Sequence, residues 1–88
     1  MKKENQSEYI VKGFSNKNRI KVIIILQRKP EMTVGEIAKN TEMSFNSTSA
    51  HLLKMMATGI IMKRGLGNEV RHKLTKKGEI IFDFLKRI

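Results

Sequence analysis

The chain has 88 residues, no cysteine, and 18 Lys and Arg against eight Asp and Glu, a formal charge of +10. That composition excludes disulfides, thiolate metal sites and a cysteine nucleophile, and it points to a polyanionic partner, nucleic acid before an anionic membrane surface. A chain this small buries a modest core alone, so surface contributed by a second subunit is expected. The longest apolar run, residues 22–26, is far too short to span a bilayer, and the opening Met-Lys-Lys-Glu-Asn-Gln lacks the apolar stretch of a secretory leader.

In chain order, residues 8–14 are predicted as a short helix with Tyr9, Ile10, Val11 and Phe14 as its apolar residues. Ser15 and Asn16 can cap the next segment, residues 17–28. Its run Val-Ile-Ile-Ile-Leu favours strand by β-branching, and so short a run has no decisive period. The capping pair before it and the polar flanks Arg19, Lys21, Gln27 and Arg28 make it a helix. Being apolar all round, it is expected to be central and buried. Lys29-Pro30 ends it, because the residue before proline avoids the helical region.

Thr33 and Glu36 have the spacing of a capping box, and Met32 and Ile37 that of a hydrophobic staple, so a helix is predicted over 33–41. Glu42-Met43 leaves only a tight turn before Ser44 caps another helix over 44–58, which Gly59 closes. Two helices so joined form a helix-turn-helix. Residues 60–64 and 69–74 read as strands around Gly65-Leu66-Gly67-Asn68, a hairpin whose glycines permit positive φ. Thr75 caps a last helix over 76–88, with Ile80, Ile81, Phe84, Leu85 and Ile88 on one stripe and Phe82 off it. The fold class is mainly α with a small β-hairpin wing: one winged helix-turn-helix domain over 1–88.

The helix at 44–58 opens with short polar side chains. Asn46, Ser47 and Ser49 can reach base edges or phosphates, and a helix N-terminus itself attracts phosphate. Lys54, further along, suits the DNA backbone; Phe45 and Ala50 complete the candidate DNA contacts on this segment. Ser and Asn favour first turns whatever they face, so the segment alone leaves a plain solvated helix start open. The hairpin tips the balance. Between Lys63 and Lys77, Glu69 is the one acid among Lys63, Arg64, Arg71, Lys73, Lys76 and Lys77. Arg64, Asn68, Arg71 and Lys73 are its candidate contacts, along the backbone or in the minor groove. Leu53 and Met56 sit near the face Ser49 would present; they either pack on the wing or touch thymine methyls.

His51 and His72 are the only histidines, and without cysteine they are poor ligand material. No metal site, cofactor or catalytic constellation is expected. The last stripe serves either its own core or a twin helix. The small chain favours a homodimer through Tyr9, Ile10, Phe14, Ile80, Ile81, Phe84, Leu85 and Ile88.

Four segments stand in a telling order: Gly-Phe-Ser-Asn-Lys-Asn-Arg-Ile-Lys-Val-Ile at 13–23, Thr-Val-Gly-Glu-Ile-Ala at 33–38, Ser-Phe-Asn-Ser-Thr-Ser-Ala-His-Leu at 44–52 and Thr-Gly-Ile-Ile at 58–61. With them, residues 14–74 resemble the ArsR family of winged-helix repressors. Leu-Thr-Lys-Lys-Gly-Glu at 74–79 is similar to endings in the related MarR and PadR families. Lys17-Asn18 replaces the family's usual Pro-Thr, Glu42 stands where the turn often has Gly, and Ala50 where a basic residue is common. Metal-sensing members carry Cys near the positions of Thr33 and Gly35, or His and carboxylates on the last helix, and this chain has neither set. The resemblance implies DNA binding and homodimerisation without metal sensing.

The expected function is a homodimeric, sequence-specific regulator of double-stranded DNA, a repressor rather than an enzyme, working in the cytoplasm at the nucleoid. A DNA-coating architectural protein without sequence preference is the second reading. A winged-helix protein-interaction module is the third.

Overall fold

The β-branched run at 22–26 forms helix after all, inside α1 (Lys17–Arg28) of a computed structural model that describes residues 17–87. There follow α2 (Val34–Thr41), α3 (Phe45–Ala57), β1 (Ile61–Leu66), β2 (Glu69–Leu74) and α4 (Lys76–Leu85). The helix expected at 8–14, its Ser15-Asn16 cap, and Tyr9, Ile10, Phe14 and Ile88 lie outside the described residues. Helices α2 and α3 form the helix-turn-helix, and the antiparallel β1–β2 hairpin is the wing. Among the described residues no helix is long and apolar enough to cross a membrane.

Helix α1 is not buried all round. Val22, Ile23 and Leu26 are sealed, whereas Ile24 is 38% exposed and Ile25 only half-buried. The reason is supply: three consecutive isoleucines and a valine offer more apolar surface than one face of a helix can turn toward a small core. The buried face meets α2, α3, β2 and α4, so α1 is the common wall of the domain. The core is Val22, Ile23, Leu26, Met32, Ile37, Leu52, Met55, Ile60, Ile61 and Leu74.

Local chemistry sets the boundaries of the helix-turn-helix. The Thr33 amide donates to Glu36 Oε1 at 2.9 Å while the Glu36 amide donates to Thr33 Oγ1 at 3.2 Å, the reciprocal capping box. The staple residues Met32 and Ile37 are both in the core. At the far end of α2, the Met43 amide donates to the Ala38 carbonyl and that of Glu42 to Lys39, a Schellman closure with Glu42 at φ 58°. Ser44 then caps α3 by accepting from the Ser47 amide at 3.0 Å. A second Schellman closure ends α3: the Ile60 amide donates to Met55 and that of Gly59 to Met56, with Gly59 at φ 76°. Ile60 and Met55, the pair that normally touch in this motif, are both core residues.

The wing is longer than the sequence reading. β1 runs through Gly65 to Leu66, and Leu66 pairs with Glu69, so only Gly67 and Asn68 form the loop. Gly67 has φ 62° and Asn68 is not left-handed, the φ signs of a type II′ turn. A short third segment flanks β2: Met32 and His72 exchange backbone hydrogen bonds at 3.0 and 2.7 Å. His72 is buried, and its Nδ1 lies 3.1 Å from the Met32 carbonyl oxygen, so this histidine ties two strands together.

Helix α4 starts at the expected Thr75 cap but stops at Leu85, with Lys86 and Arg87 in a turn. Its orientation also differs from the expected stripe. Gly78 is buried against the Ile60 carbonyl, where a Cβ has no room, and that contact fixes the helix's rotation. Ile81, Phe82 and Leu85 therefore turn inward onto the core. Phe82, expected off the stripe, is on the packed side, and Ile80, expected on it, is 61% exposed.

Glu42 holds a left-handed conformation that costs a non-glycine residue about 1–2 kcal/mol. Its side chain is exposed and makes no core contact. Glu42→Gly is expected to raise unfolding stability by about 0.5–1 kcal/mol, the relieved strain less the extra entropy of glycine in the unfolded chain. Chemical denaturation checks this; a destabilised variant would show that the turn is not strained.

Candidate nucleic-acid interface

Helix α3 has two opposed ridges. Thr48, Leu52 and Met55 face the core and are fully buried. Asn46, Ala50, Leu53 and Ala57, at i, i+4, i+7 and i+11, are all exposed and lie roughly opposite. Ser47 and Ser49 are half-buried beside them, and Lys54 is exposed. Phe45, the first helical residue, is 59% exposed. Thr48 sits among these polar residues in sequence but donates to the Ser44 carbonyl at 2.8 Å and belongs to the core. Leu53 and Met56, paired in the sequence reading, separate here: Met56 packs on the core and Leu53 is 62% exposed.

A cation from another helix reaches the middle of this one. Arg19 of α1 donates through Nε to His51 Nδ1 at 3.3 Å. Burial, then the charges of Arg19 and Lys54, hold the His51 pKa below its ordinary value, so the ring is a neutral acceptor. Nothing in the local sequence pairs residues so far apart, and Arg19 was read only as a polar flank.

The wing follows directly from α3 and β1 packs against it. The register places Met62, Arg64 and Leu66 on one face with Lys73, Arg71 and Glu69. Arg64 and Arg71 are directly opposed, a repulsive arrangement unless carboxylates intervene. Three do. Arg71 donates from Nη2 to Glu69 Oε1 at 2.8 Å and from Nη1 to the Glu31 carbonyl at 2.9 Å, with Glu36 Oε1 at 3.6 Å. Arg64 Nη1 lies 3.4 Å from Glu31 Oε2. The other Glu31 oxygen is buried, with no hydrogen-bond partner among the described residues. Glu31 and Glu36 are parts of the site that the sequence reading missed, because their arginine partners are more than thirty residues away.

The expected DNA contacts thus fall into two groups. Phe45, Asn46, Ala50 and Lys54 on α3, and Arg64 and Asn68 on the wing, are exposed, with Ser47, Ser49 and Lys73 half-buried. Arg71 is 29% exposed and bound to the protein itself, joining β2 to the loop before α2 and to the α2 cap. Of the residues expected at a dimer interface, Ile81 and Leu85 contact their own core, and Ile80 and Phe84 remain more outward on α4.

The sequence model of the family described as winged helix-turn-helix DNA-binding matches residues 15–62, over half of the chain. A predicted DNA-binding transcriptional regulator from E. coli superposes with a TM-score of 0.78 at 24% identity, covering 96% of this chain and 90% of that one. The homodimeric winged helix-turn-helix DNA-binding domain of Mb0332 from Mycobacterium bovis, a possible ArsR-family regulator, gives 0.77 at 22% identity, over 93% and 76%. FabT of Streptococcus pneumoniae, solved in complex with DNA, gives 0.75 at 24% identity, over 83% of this chain and 52% of FabT. At such identities the likeness is one of fold. No curated protein matches the chain by sequence.

The carboxylate that joins the α2 cap to the wing is open to a pH test. The Thr33 amide, aided by Arg71 and Lys29, holds the Glu36 carboxyl below its usual 4.5, against a smaller opposing effect of desolvation. A depressed pKa stabilises the folded state above the unfolded value; that contribution is lost as pH falls from about 4.5 through the lower folded pKa. Glu36→Gln, which can still complete the capping box, is expected to flatten the acid limb of the stability profile. Denaturant midpoints measured from pH 6 down to about 3 check this; parallel profiles for the two proteins would remove Glu36 from the linkage.

Proposed function

The chain belongs to the winged helix-turn-helix DNA-binding family, and we propose that within it the protein is a homodimeric, sequence-specific transcriptional repressor. The observation that carries this reading is the outward side of α3: a capped N-terminus presenting Asn46 beside a hairpin with an arginine and lysine edge. In this reading α3 enters the major groove with Asn46, Ser47 and Ser49 at base edges. Lys54, Arg64 and Lys73 meet phosphates, and Asn68 leads the wing tip toward the minor groove. Arg71 holds the wing at its angle. Two copies, joined through Tyr9, Ile10, Phe14 and the outward side of α4, would span half-sites about 34 Å apart or a multiple of that. The Mycobacterium bovis domain of similar fold is homodimeric, which supports the assembly. A dimer on such a site blocks access to a promoter simply by occupying it, and its place of work is the nucleoid in the cytoplasm.

The sparse polar chemistry of the outward ridge, where Asn46 alone has an amide, favours a second reading, a protein that coats DNA without sequence preference. Selection from random duplex DNA near physiological salt decides between them. Enrichment of one inverted repeat is expected, and Asn46→Ala should weaken binding to it by about 1–3 kcal/mol, roughly 5- to 160-fold, while sparing random DNA. Uniform recovery with steep salt dependence would establish the coating protein. No binding even at low salt would leave a protein-interaction module.

The dimer has its own test. Ile80 is 61% exposed, so Ile80→Glu leaves the core intact. Sedimentation should show a dimer for the native protein and a monomer for the variant, whose far-UV circular dichroism stays that of the native fold; a native protein that is monomeric at micromolar concentration would abolish the proposed assembly.

A further inference from the structure

We infer that the outward ridge of α3 reads DNA by apolar contact, and that Leu53 packs on the C5-methyl group of a thymine in each half-site. The inference rests on the DNA-binding reading above and says what that site recognises.

The ridge opposite the core is Asn46, Ala50, Leu53 and Ala57. Only the first can hydrogen-bond to a base edge. The others present methyl and isobutyl groups, and Leu53 is 62% exposed. An isolated leucine outside a core needs no explanation by itself. This one is flanked on its own ridge by two alanines, so the helix backbone can approach a groove floor closely with Leu53 as the single projection. Leu53 lies about 10 Å along the helix from Asn46, about three base-pair steps, so both can meet bases in one groove passage.

The surroundings choose the partner. Lys54 is the next residue, Arg64 and Lys73 lie on the adjoining wing, and the chain carries +10. A neutral apolar partner surface would leave Lys54, Lys73 and the net positive charge unmatched, whereas duplex DNA matches them with phosphates and offers an apolar feature in its major groove: the thymine methyl. Met56, the other apolar residue near this face, packs on the core and does not compete.

Uracil pairs as thymine does but lacks that methyl, so the test is chemical. The duplex recovered by selection, or an alternating dA-dT duplex where none is enriched, is compared with versions in which dU replaces dT, for the native protein and for Leu53→Ala. Native affinity is expected to fall about fourfold per contacted methyl, from about 0.8 kcal/mol for one buried methyl-sized group. Leu53→Ala should bind both duplexes equally, while its thermal unfolding stays that of the native protein because the side chain is exposed.

Equal native binding to the dT and dU duplexes would overturn the inference and leave the DNA-binding reading standing. A Leu53→Ala variant that keeps the full uracil penalty would also overturn it, by assigning the methyl to another residue. If Leu53→Ala changes no duplex affinity, the leucine serves a protein partner, and the inference falls in that way. Absence of binding to any duplex at low salt would instead remove the site reading from which the inference starts.

Discussion

The Ile60 carbonyl oxygen is the point about which both halves of the domain are assembled. It accepts from the Thr75 amide at 3.0 Å, Gly78 packs directly against it, and the Thr75 hydroxyl donates to the neighbouring Gly59 carbonyl at 2.5 Å. Thr75 in the same geometry accepts from the Gly78 amide and so caps α4. Lys77 adds a bond from Nζ to the Thr58 carbonyl at 2.8 Å. Carbonyls at the end of a helix need partners, and here they find them on the first turn of another helix rather than in water. The end of α3, the base of the wing and the start of α4 are consequently one joint. The outward ridge of α3 inherits its direction from that joint, because turning α3 would break the contact that lets α4 close the core.

The other end of the helix-turn-helix is held by strain. Glu31 and Glu42 bracket α2, with φ of 66° and 58°. Each reverses the chain in a single residue, which a longer loop would have done without cost. At Glu31 the strained residue also holds the wing. Its carbonyl receives Arg71 and its carboxylate faces Arg64, so the loop before α2 fixes the hairpin's angle. Arginines opposed across the strands would push the hairpin apart. The carboxylates of Glu31, Glu36 and Glu69 turn that repulsion into a connection between wing and helix.

Features written in local chemistry were legible in the sequence. Thr33-x-x-Glu36, the Ser44 and Thr75 caps and the Gly59 stop each involve groups within four residues of one another, and the structure holds all of them. Features set at a distance were not. The rotation of α4 depends on Gly78 meeting Ile60, so the apolar pattern alone placed Phe82 on the wrong side. The exposed side of α1 depends on how little core a small domain needs to cover. The wing lengthened because Gly65, read as turn, has room to pair with Val70. Candidate site residues could be named from the sequence, but not what engages them. That both wing arginines are engaged, Arg71 far more than Arg64, was not legible, because Glu31 and Glu36 come to them through the bridge of Met32 to His72.

That distinction bears on how affinity and specificity divide. A charge of +10 suggests strong attraction to any duplex, yet part of it works inside the protein. Arg71 is held by carboxylates, Arg19 by His51 and Lys77 by a helix-end carbonyl. These cations still add to the field that draws DNA in, which depends on net charge, but they contribute little to close phosphate contact, which depends on a free head group. In the proposed reading the side chains that would meet DNA directly are Lys54 and Lys73, with Arg64 shared with Glu31, around one amide and one leucine. Such an interface would gain attraction from its field and discrimination from where Asn46 and Leu53 are held, and the joint at Ile60 and the strained glutamates keep that placement fixed.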